Sequence, residues 1–397
     1  MGDRGGPARV IDADNHYYEP RDCFTRFMAS SHMEDAIRVQ STAAGDQVVV
    51  GDRPFTFLPD PFGEVRARPG ALREKLRNLK AGMDPDRDPV MEPVQPAYVD
   101  RDARLSLMDE QGIDAALLFP TLGVCVEHFM ADDPRRTSRN LAAFNRWLLE
   151  DWGFGGDGRI YGVPLVSLLD VDAAVAELAW LIDEGARCIH LRPGPQAGRC
   201  PADPVFDPFW ARADEAGLTV AFHIAESGFN ERYSTAWGEV ANPPAHQQSA
   251  FQWTSFYGDL PIMQTLASLV FYNFFGRFPR LRVLSVENGS LWVPYLLAAM
   301  DKMKGMGRNG PWPGGYVAGR PSEIVREKVF VSPYHEEDIG TLVEAIGPRQ
   351  VVFGSDFPHP EGLARPTEFR ELLTGMSAAD RDLVMGGNAE QLIAAPG

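Results

Sequence analysis

The chain has 397 residues, of which 44% are hydrophobic and 23% charged, and a formal net charge of -17. A surface this acidic repels phosphate backbones and anionic lipid, so neither nucleic acid nor a membrane is an expected partner, while the apolar fraction suffices for a large core. The cysteines Cys23, Cys125, Cys188 and Cys200 form no C-x-x-C pair and the N-terminus has no apolar leader, so a disulfide framework or zinc knuckle is not expected and a cytoplasmic location is.

Eight short apolar runs follow one another along the chain. They are Arg9–Asp14, Ala115–Thr121, Ile160–Leu168, Cys188–Gly194, Thr219–Ser227, Arg282–Gly289, Lys328–Tyr334 and Gln350–His359. They lack polar alternation, which marks strands buried on both faces in a parallel sheet. Amphipathic stretches lie between them, at Asp102–Gly112, Asp172–Gly185 and Phe206–Gly217, each stopped by glycine. Eight strand–helix repeats predict a distorted (β/α)8 barrel spanning 1–397 as one domain. A doubly wound open sheet is the alternative, weakened because no G-x-G-x-x-G follows a strand.

Two segments break the rhythm. Residues 22–100 separate the first strand from its helix, and residues 228–262 follow the fifth. Both are insertions after strands, on the face where barrel active sites are built, and the first reads as a lid or subunit contact. In the second, Trp237, Phe251, Trp253, Phe256 and Tyr257 either wall an apolar pocket or pack between subunits. Phe271–Phe278 reads as a helix, with core or dimer packing as its role. Disorder is expected only in about the first eight residues.

Polar residues gather at the strand ends. The first run ends Asp12-Ala13-Asp14-Asn15-His16, and in an extended segment Asp12, Asp14 and His16 share a face. The fifth carries His223 among apolar neighbours, and the eighth ends Gly354-Ser355-Asp356-Phe357-Pro358-His359. Each has a plain reading alone: an Asx turn, a core histidine, a helix N-cap. On a barrel their strand ends point at one axis, and two imidazoles with two carboxylates make a shell suited to Zn2+, Mn2+ or Fe2+. His190 and Arg192 at the fourth strand are candidates for binding a polar or anionic substrate group, with a barrel-end ion pair to Glu226 or Glu287 as the plain alternative for the arginine. His359 is a substrate contact, a hydrogen-bond donor behind the metal, or a loop histidine.

The stretches Asp12–Pro20, Ala221–Ser227 and Val351–Gly362, in this order and spacing, resemble the amidohydrolase-related family, in the branch that includes aminocarboxymuconate-semialdehyde decarboxylase. Leu107–Asp114 and Gly387–Ile393 are similar too, so the resemblance covers nearly the whole chain. It implies a distorted barrel with one divalent metal, Zn2+ foremost and Mn2+ or Fe2+ as alternatives. It implies Asp14, in place of the family's first histidine, with His16, His223 and Asp356 as the metal shell, Asp12 and Glu19 as residues that orient it, and a homodimer. No lysine stands in Cys188–Gly194 to bridge a second metal. Decarboxylases of the family carry a histidine at the sixth strand end; here Glu287 occupies or adjoins that place, followed by Asn288, a candidate substrate contact. That departure favours hydrolysis of a small organic substrate, with Asp356 as base and Glu287 or His359 as acid. Non-oxidative decarboxylation is the alternative enzyme reading, and a catalytically silent barrel serving as a binding module is the other.

Overall fold

A computed structural model describes residues 8–43, 45–58, 60–84 and 90–395. Seven of the expected runs are parallel strands: β1 Ile11–Tyr17, β2 Ala115–Pro120, β3 Ile160–Gly162, β4 Cys188–His190, β5 Thr219–His223, β6 Arg282–Val286 and β7 Val329–Val331. Every residue of β1, β2 and β5 is buried, as a parallel ladder covered on both faces requires. β1, β2 and β3 pair in that order, and β4 to β7 form a second sheet in chain order. Single bridges join Leu165 to His190 and Val331 to Val351. Beyond Val351 the backbone runs beside β1, where Ala13 N donates to the Phe353 carbonyl at 2.8 Å and His16 N to that of Phe357 at 2.7 Å. The eighth run was expected to be extended as far as His359; instead Asp356, at φ 56°, turns out of the extended conformation.

Helices follow the strands and carry their own start signals. Asp100, Asp133 and Asp170 cap Arg101–Gln111, Pro134–Asp151 and Val171–Asp183, accepting from the backbone N–H of Ala103, Arg136 and Ala173. Gly112, at φ 70°, ends the first of these in the left-handed turn that glycine permits. The single helix expected over Phe271–Phe278 is instead broken: one helix ends at Phe271 and a short one spans Phe274–Arg277, with Asn273 at φ 52° between them. The first insertion holds an antiparallel ladder of Ile37–Thr42, Gly45–Val50 and Arg53–Pro54, a paired Val65–Ala67 and Met91–Pro93, and a helix at Ala71–Lys80. It meets the second insertion directly, where Ala245 N donates to the Phe57 carbonyl at 2.7 Å and the Phe57 and Tyr257 rings lie 6.3 Å apart. The expected N-terminal disorder and the core of the Pro/Asp-rich stretch, residues 85–89, lie outside the described residues. No helix among the described residues is long and apolar enough to cross a membrane.

One local irregularity positions the site. Ile11 and Ala13 pack in one cluster with Leu117, Phe119, Leu284, Val286 and Phe330, a cluster distinct from the larger core that holds Ala116 and Leu118. Regular alternation would therefore leave Asp14 and His16 on the other face. The ladder with β2 slips between Asp12 and Asn15: Asp12 pairs with outward-packed Ala116, whereas His16 pairs with inward-packed Phe119. A bulge of this kind exchanges faces, so Asp12 parts from the expected shared face while Asp14 and His16 turn inward.

Arg104 braces this bulge. It is fully buried, hydrogen-bonded to the Asn15 side chain, and donates to the carbonyls of Ala97 at 2.6 Å and His16 at 2.8 Å. Replacing it by methionine strands three buried acceptors, so Arg104→Met is expected to cost about 3 kcal/mol. Thermal unfolding of the metal-free protein checks this; an unchanged Tm would show that the bulge holds itself.

Candidate metal centre

Four side chains converge where β1, β5 and β6 end. Asp14 Oδ1 lies 3.3 Å from His16 Nε2 and 3.8 Å from His223 Nε2. Glu287 Oε2 lies 3.6 Å and 3.1 Å from the same two nitrogens, which are 3.2 Å apart. Asp356 Oδ1 also approaches His16 Nε2, at 3.4 Å. His223 Nδ1 faces the Ile224 carbonyl at 2.8 Å, so that nitrogen carries the ring proton and Nε2 offers its lone pair to the centre.

The donor set fits a divalent cation. Two ligands about 2.1 Å from one tetrahedral metal sit about 3.4 Å apart, close to the separations here. Asp14 Oδ1 and Glu287 Oε2 are both buried without a hydrogen bond, a costly state for a carboxylate oxygen unless a cation takes its charge. The ligand atoms of Asp14, His16, His223 and Glu287 all lie within 4.8 Å of one another, as do those of His16, Glu287, Asp356 and His359.

The charges agree. Burial works against a charge on His16, but the Asp14 and Glu287 carboxylates outweigh it and lift the imidazolium pKa to about 9. A proton and a metal compete for that lone pair, so binding metal below pH 9 releases a proton. Apparent metal affinity is therefore expected to rise by about tenfold per pH unit between about pH 6 and 8 and to level off above the His16 pKa. Titration calorimetry in two buffers of different ionisation enthalpy measures the proton count; release of no proton would contradict the assignment of His16 as a ligand.

Asp356 and His359 form the second part of the centre. Their Oδ1 and Nδ1 atoms are 2.7 Å apart. Burial, and then the charge of Glu287, pushes the Asp356 carboxyl well above its usual range, while burial and the neighbouring His16 keep the His359 imidazolium well below its own. Thr121, which sequence reasoning missed, sets the tautomer. Its hydroxyl donates to the Tyr17 carbonyl at 2.8 Å, so its oxygen is left to accept from His359 Nε2 at 3.0 Å. With Nε2 carrying the ring proton, a proton taken up between His359 Nδ1 and Asp356 Oδ1 would be shared by that pair.

The remaining candidates hold the frame. Asp12 accepts from Ser355 N at 3.0 Å, Ser355 Oγ at 2.6 Å and Asn15 Nδ2 at 3.0 Å, tying the eighth run to β1. Glu19 was expected to orient the metal shell; its carboxylate instead receives the backbone N–H of Leu122 and Gly123, at 2.9 and 2.8 Å, and fixes the turn after β2. Arg192 was expected to clamp a substrate or pair with Glu226 or Glu287. It is buried, donates to the Ser227 and Pro195 carbonyls at 3.0 and 3.1 Å, and has Glu127 at 3.6 Å as its ion-pair partner. Asn288, expected to touch substrate, directs Nδ2 to the Phe222 and Val286 carbonyls at 2.7 and 2.8 Å and so clips β5 to β6, while its Oδ1 is buried and unpartnered. His190 is buried beside His223, their rings 6.3 Å apart, and burial lowers its pKa to about 3, so it is a neutral ring with Nε2 unpartnered. Tyr334, also unforeseen, donates its hydroxyl to the Glu287 carbonyl at 2.6 Å.

Comparison with known proteins bears on this arrangement. A family model described as Amidohydrolase matches residues 11–394. The crystal structure of an amidohydrolase from Mycobacterium avium subsp. paratuberculosis K-10 is 36% identical, covers 98% of both chains and superposes with a TM-score of 0.88. 5-Carboxyvanillate decarboxylase LigW from Sphingomonas paucimobilis, 18% identical over 98% of this chain and 100% of its own, gives 0.62. A dihydroxybenzoic acid decarboxylase from Polaromonas sp. JS666 with bound manganese, 15% identical over 97% of this chain and 96% of its own, gives 0.57. No functionally curated protein matches.

Proposed function

The chain belongs to the amidohydrolase family, and from that premise we propose that it is a metal-dependent hydrolase acting on a small organic molecule with a C–N, C–O or C–C bond next to a carbonyl. The links from β3 to β4 and from β7 through Val351 to β1 support reading its strands as one closed eight-stranded barrel with the centre at the strand ends. Asp14, His16 and His223 would hold the metal, with Asp356 at its edge. A divalent ion there supplies Lewis acidity, which brings water's pKa down towards about 7 and polarises a carbonyl.

The observation that carries hydrolysis is the position of Asp356 Oδ1, 3.4 Å from His16 Nε2 and 2.7 Å from His359 Nδ1. Asp356 takes the proton of the attacking water at Oδ1. His359 Nδ1, held free of its own proton by the Thr121 contact at Nε2, shares it and returns it to the leaving group. Glu287 Oε2 instead faces the two ligand nitrogens at 3.6 and 3.1 Å and has no hydrogen bond to this proton pair.

Decarboxylation is the second reading, favoured by the activities named for the LigW and Polaromonas neighbours. Against it, the arginine that would anchor a departing carboxylate is committed to Glu127 and loop carbonyls. Turnover of a panel of lactones, amides, β-diketones and hydroxybenzoates, followed by mass spectrometry in 18O-water, separates the two. Incorporation of 18O, abolished by chelator and restored by metal, is expected. Loss of CO2 without 18O incorporation would overturn hydrolysis, and turnover unaffected by complete metal removal would overturn the metal.

A further inference from the structure

We propose that Glu287 is itself a ligand of the metal, not the acid or base of the reaction, and that it gives this centre a carboxylate-rich shell with a shifted preference from Zn2+ towards Mn2+ or Fe2+. The proposal rests on reading the centre as a metal site. Glu287 Oε2 relates to the two imidazoles as Asp14 Oδ1 does: 3.1 and 3.6 Å for the glutamate, 3.8 and 3.3 Å for the aspartate. Both oxygens are buried and neither has a hydrogen-bond partner. The unpartnered Oε2 faces the two ligand nitrogens and has no hydrogen bond along which a proton could be passed.

The backbone is built to aim this side chain. Glu287 sits at φ 54°, in the left-handed region that costs a residue with a side chain about 1 kcal/mol or more. Such a conformation persists where its surroundings enforce it. The Tyr334 hydroxyl grips the Glu287 carbonyl at 2.6 Å, and the next residue, Asn288, ties its amide to Phe222 and Val286. Gly289, at φ 62°, has no room for a side chain, because a Cβ there would lie 2.9 Å from both Tyr334 and Glu337. Asp356, also at the centre, has the same unusual backbone, φ 56°.

Two chemical consequences follow. Oxygen donors from Asp14, Glu287 and Asp356 beside two imidazoles make a harder site than one rich in histidine. The carboxylates of Asp14 and Glu287 also balance the charge of a dication, which removes the net positive charge that would draw an anionic substrate.

The test is metal binding to chelator-stripped protein, measured by calorimetry and by the Mn2+ paramagnetic resonance spectrum, with circular dichroism as the check on folding. Glu287→Gln is expected to weaken Mn2+ binding by about tenfold or more. Glu287→His is expected to raise the ratio of Zn2+ to Mn2+ affinity by about tenfold or more. Folded Glu287→Gln protein that binds Mn2+ within about threefold of the unaltered chain would overturn the proposal. If that variant does not fold, an unchanged Zn2+ to Mn2+ ratio in Glu287→His overturns it instead. Should the unaltered protein bind no metal at all, the reading of the centre as a metal site fails first, and that result is distinct from either variant's.

Discussion

A His223→Ala protein is expected to keep its fold, hold less than about 0.1 equivalents of metal after dialysis, and lose about 10^4-fold or more in kcat/KM, which is about 5.5 kcal/mol of transition-state stabilisation. The size of the effect follows from what His223 contributes. Its Nδ1 is occupied by the Ile224 carbonyl, so Nε2 is a fixed lone pair 3.2 Å from that of His16. Without it His16 is the only neutral donor left among carboxylates, and like charges then crowd one another with no second imidazole between them. The competing account is that His223 is a core histidine packed against Phe119, whose ring centroid is 5.0 Å away. The two accounts differ in how metal affects stability. A ligand binding the native state at 100 times its Kd stabilises by about 2.7 kcal/mol. Metal should therefore raise the Tm of the unaltered protein and not that of His223→Ala. If both proteins gain equally from added metal, His223 is packing and not a ligand.

How much of this could be read from the sequence depends on which interactions are local. The strands were legible because residues such as those of β1 and β2 are buried on both faces, which removes polar alternation from the sequence itself. The convergence of Asp14, His16, His223 and Asp356 was legible because each stands at the end of an apolar run. What the sequence hides is which way a side chain turns once the backbone departs from regularity. Asp12 was grouped on one face with Asp14 and His16, and a single slip in the ladder with β2 separates them. Glu287 was singled out for its place, but its direction comes from a left-handed backbone enforced by Tyr334, 47 residues later. Arg192 has the chemistry of a carboxylate clamp, yet Glu127, Ser227 and Pro195 claim it through contacts that only the folded chain creates. Thr121 carries no spacing signal; its part comes from lying between the Tyr17 carbonyl and His359.

Asp356→Asn is expected to lower kcat by about 10^3-fold while the protein still takes up metal, because general-base catalysis contributes roughly 10^2 to 10^4. The amide keeps the shape of the carboxyl and the backbone bond from Asp356 N to the Asp14 carbonyl at 2.8 Å, but it cannot accept and return a proton. Its NH2 group also has a ready acceptor in His359 Nδ1, since the Thr121 contact leaves that nitrogen unprotonated. The pair is then frozen in its protonated form. His359→Gln removes the other half of the relay and should be milder, about 10^2-fold, because Asp356 still stands 3.4 Å from His16 and can exchange with water. If the two residues act on one proton, the double variant loses little beyond Asp356→Asn alone; independent roles would give the product of the two losses. A fully multiplicative result would therefore separate His359 from the proton pathway and leave Asp356 to work alone. The pH profile gives a second reading. With metal kept saturating at every pH, loss of activity towards low pH belongs to protonation of Asp356, whose folded pKa lies above the ordinary carboxylate value, so that limb should vanish in Asp356→Asn and persist in His359→Gln.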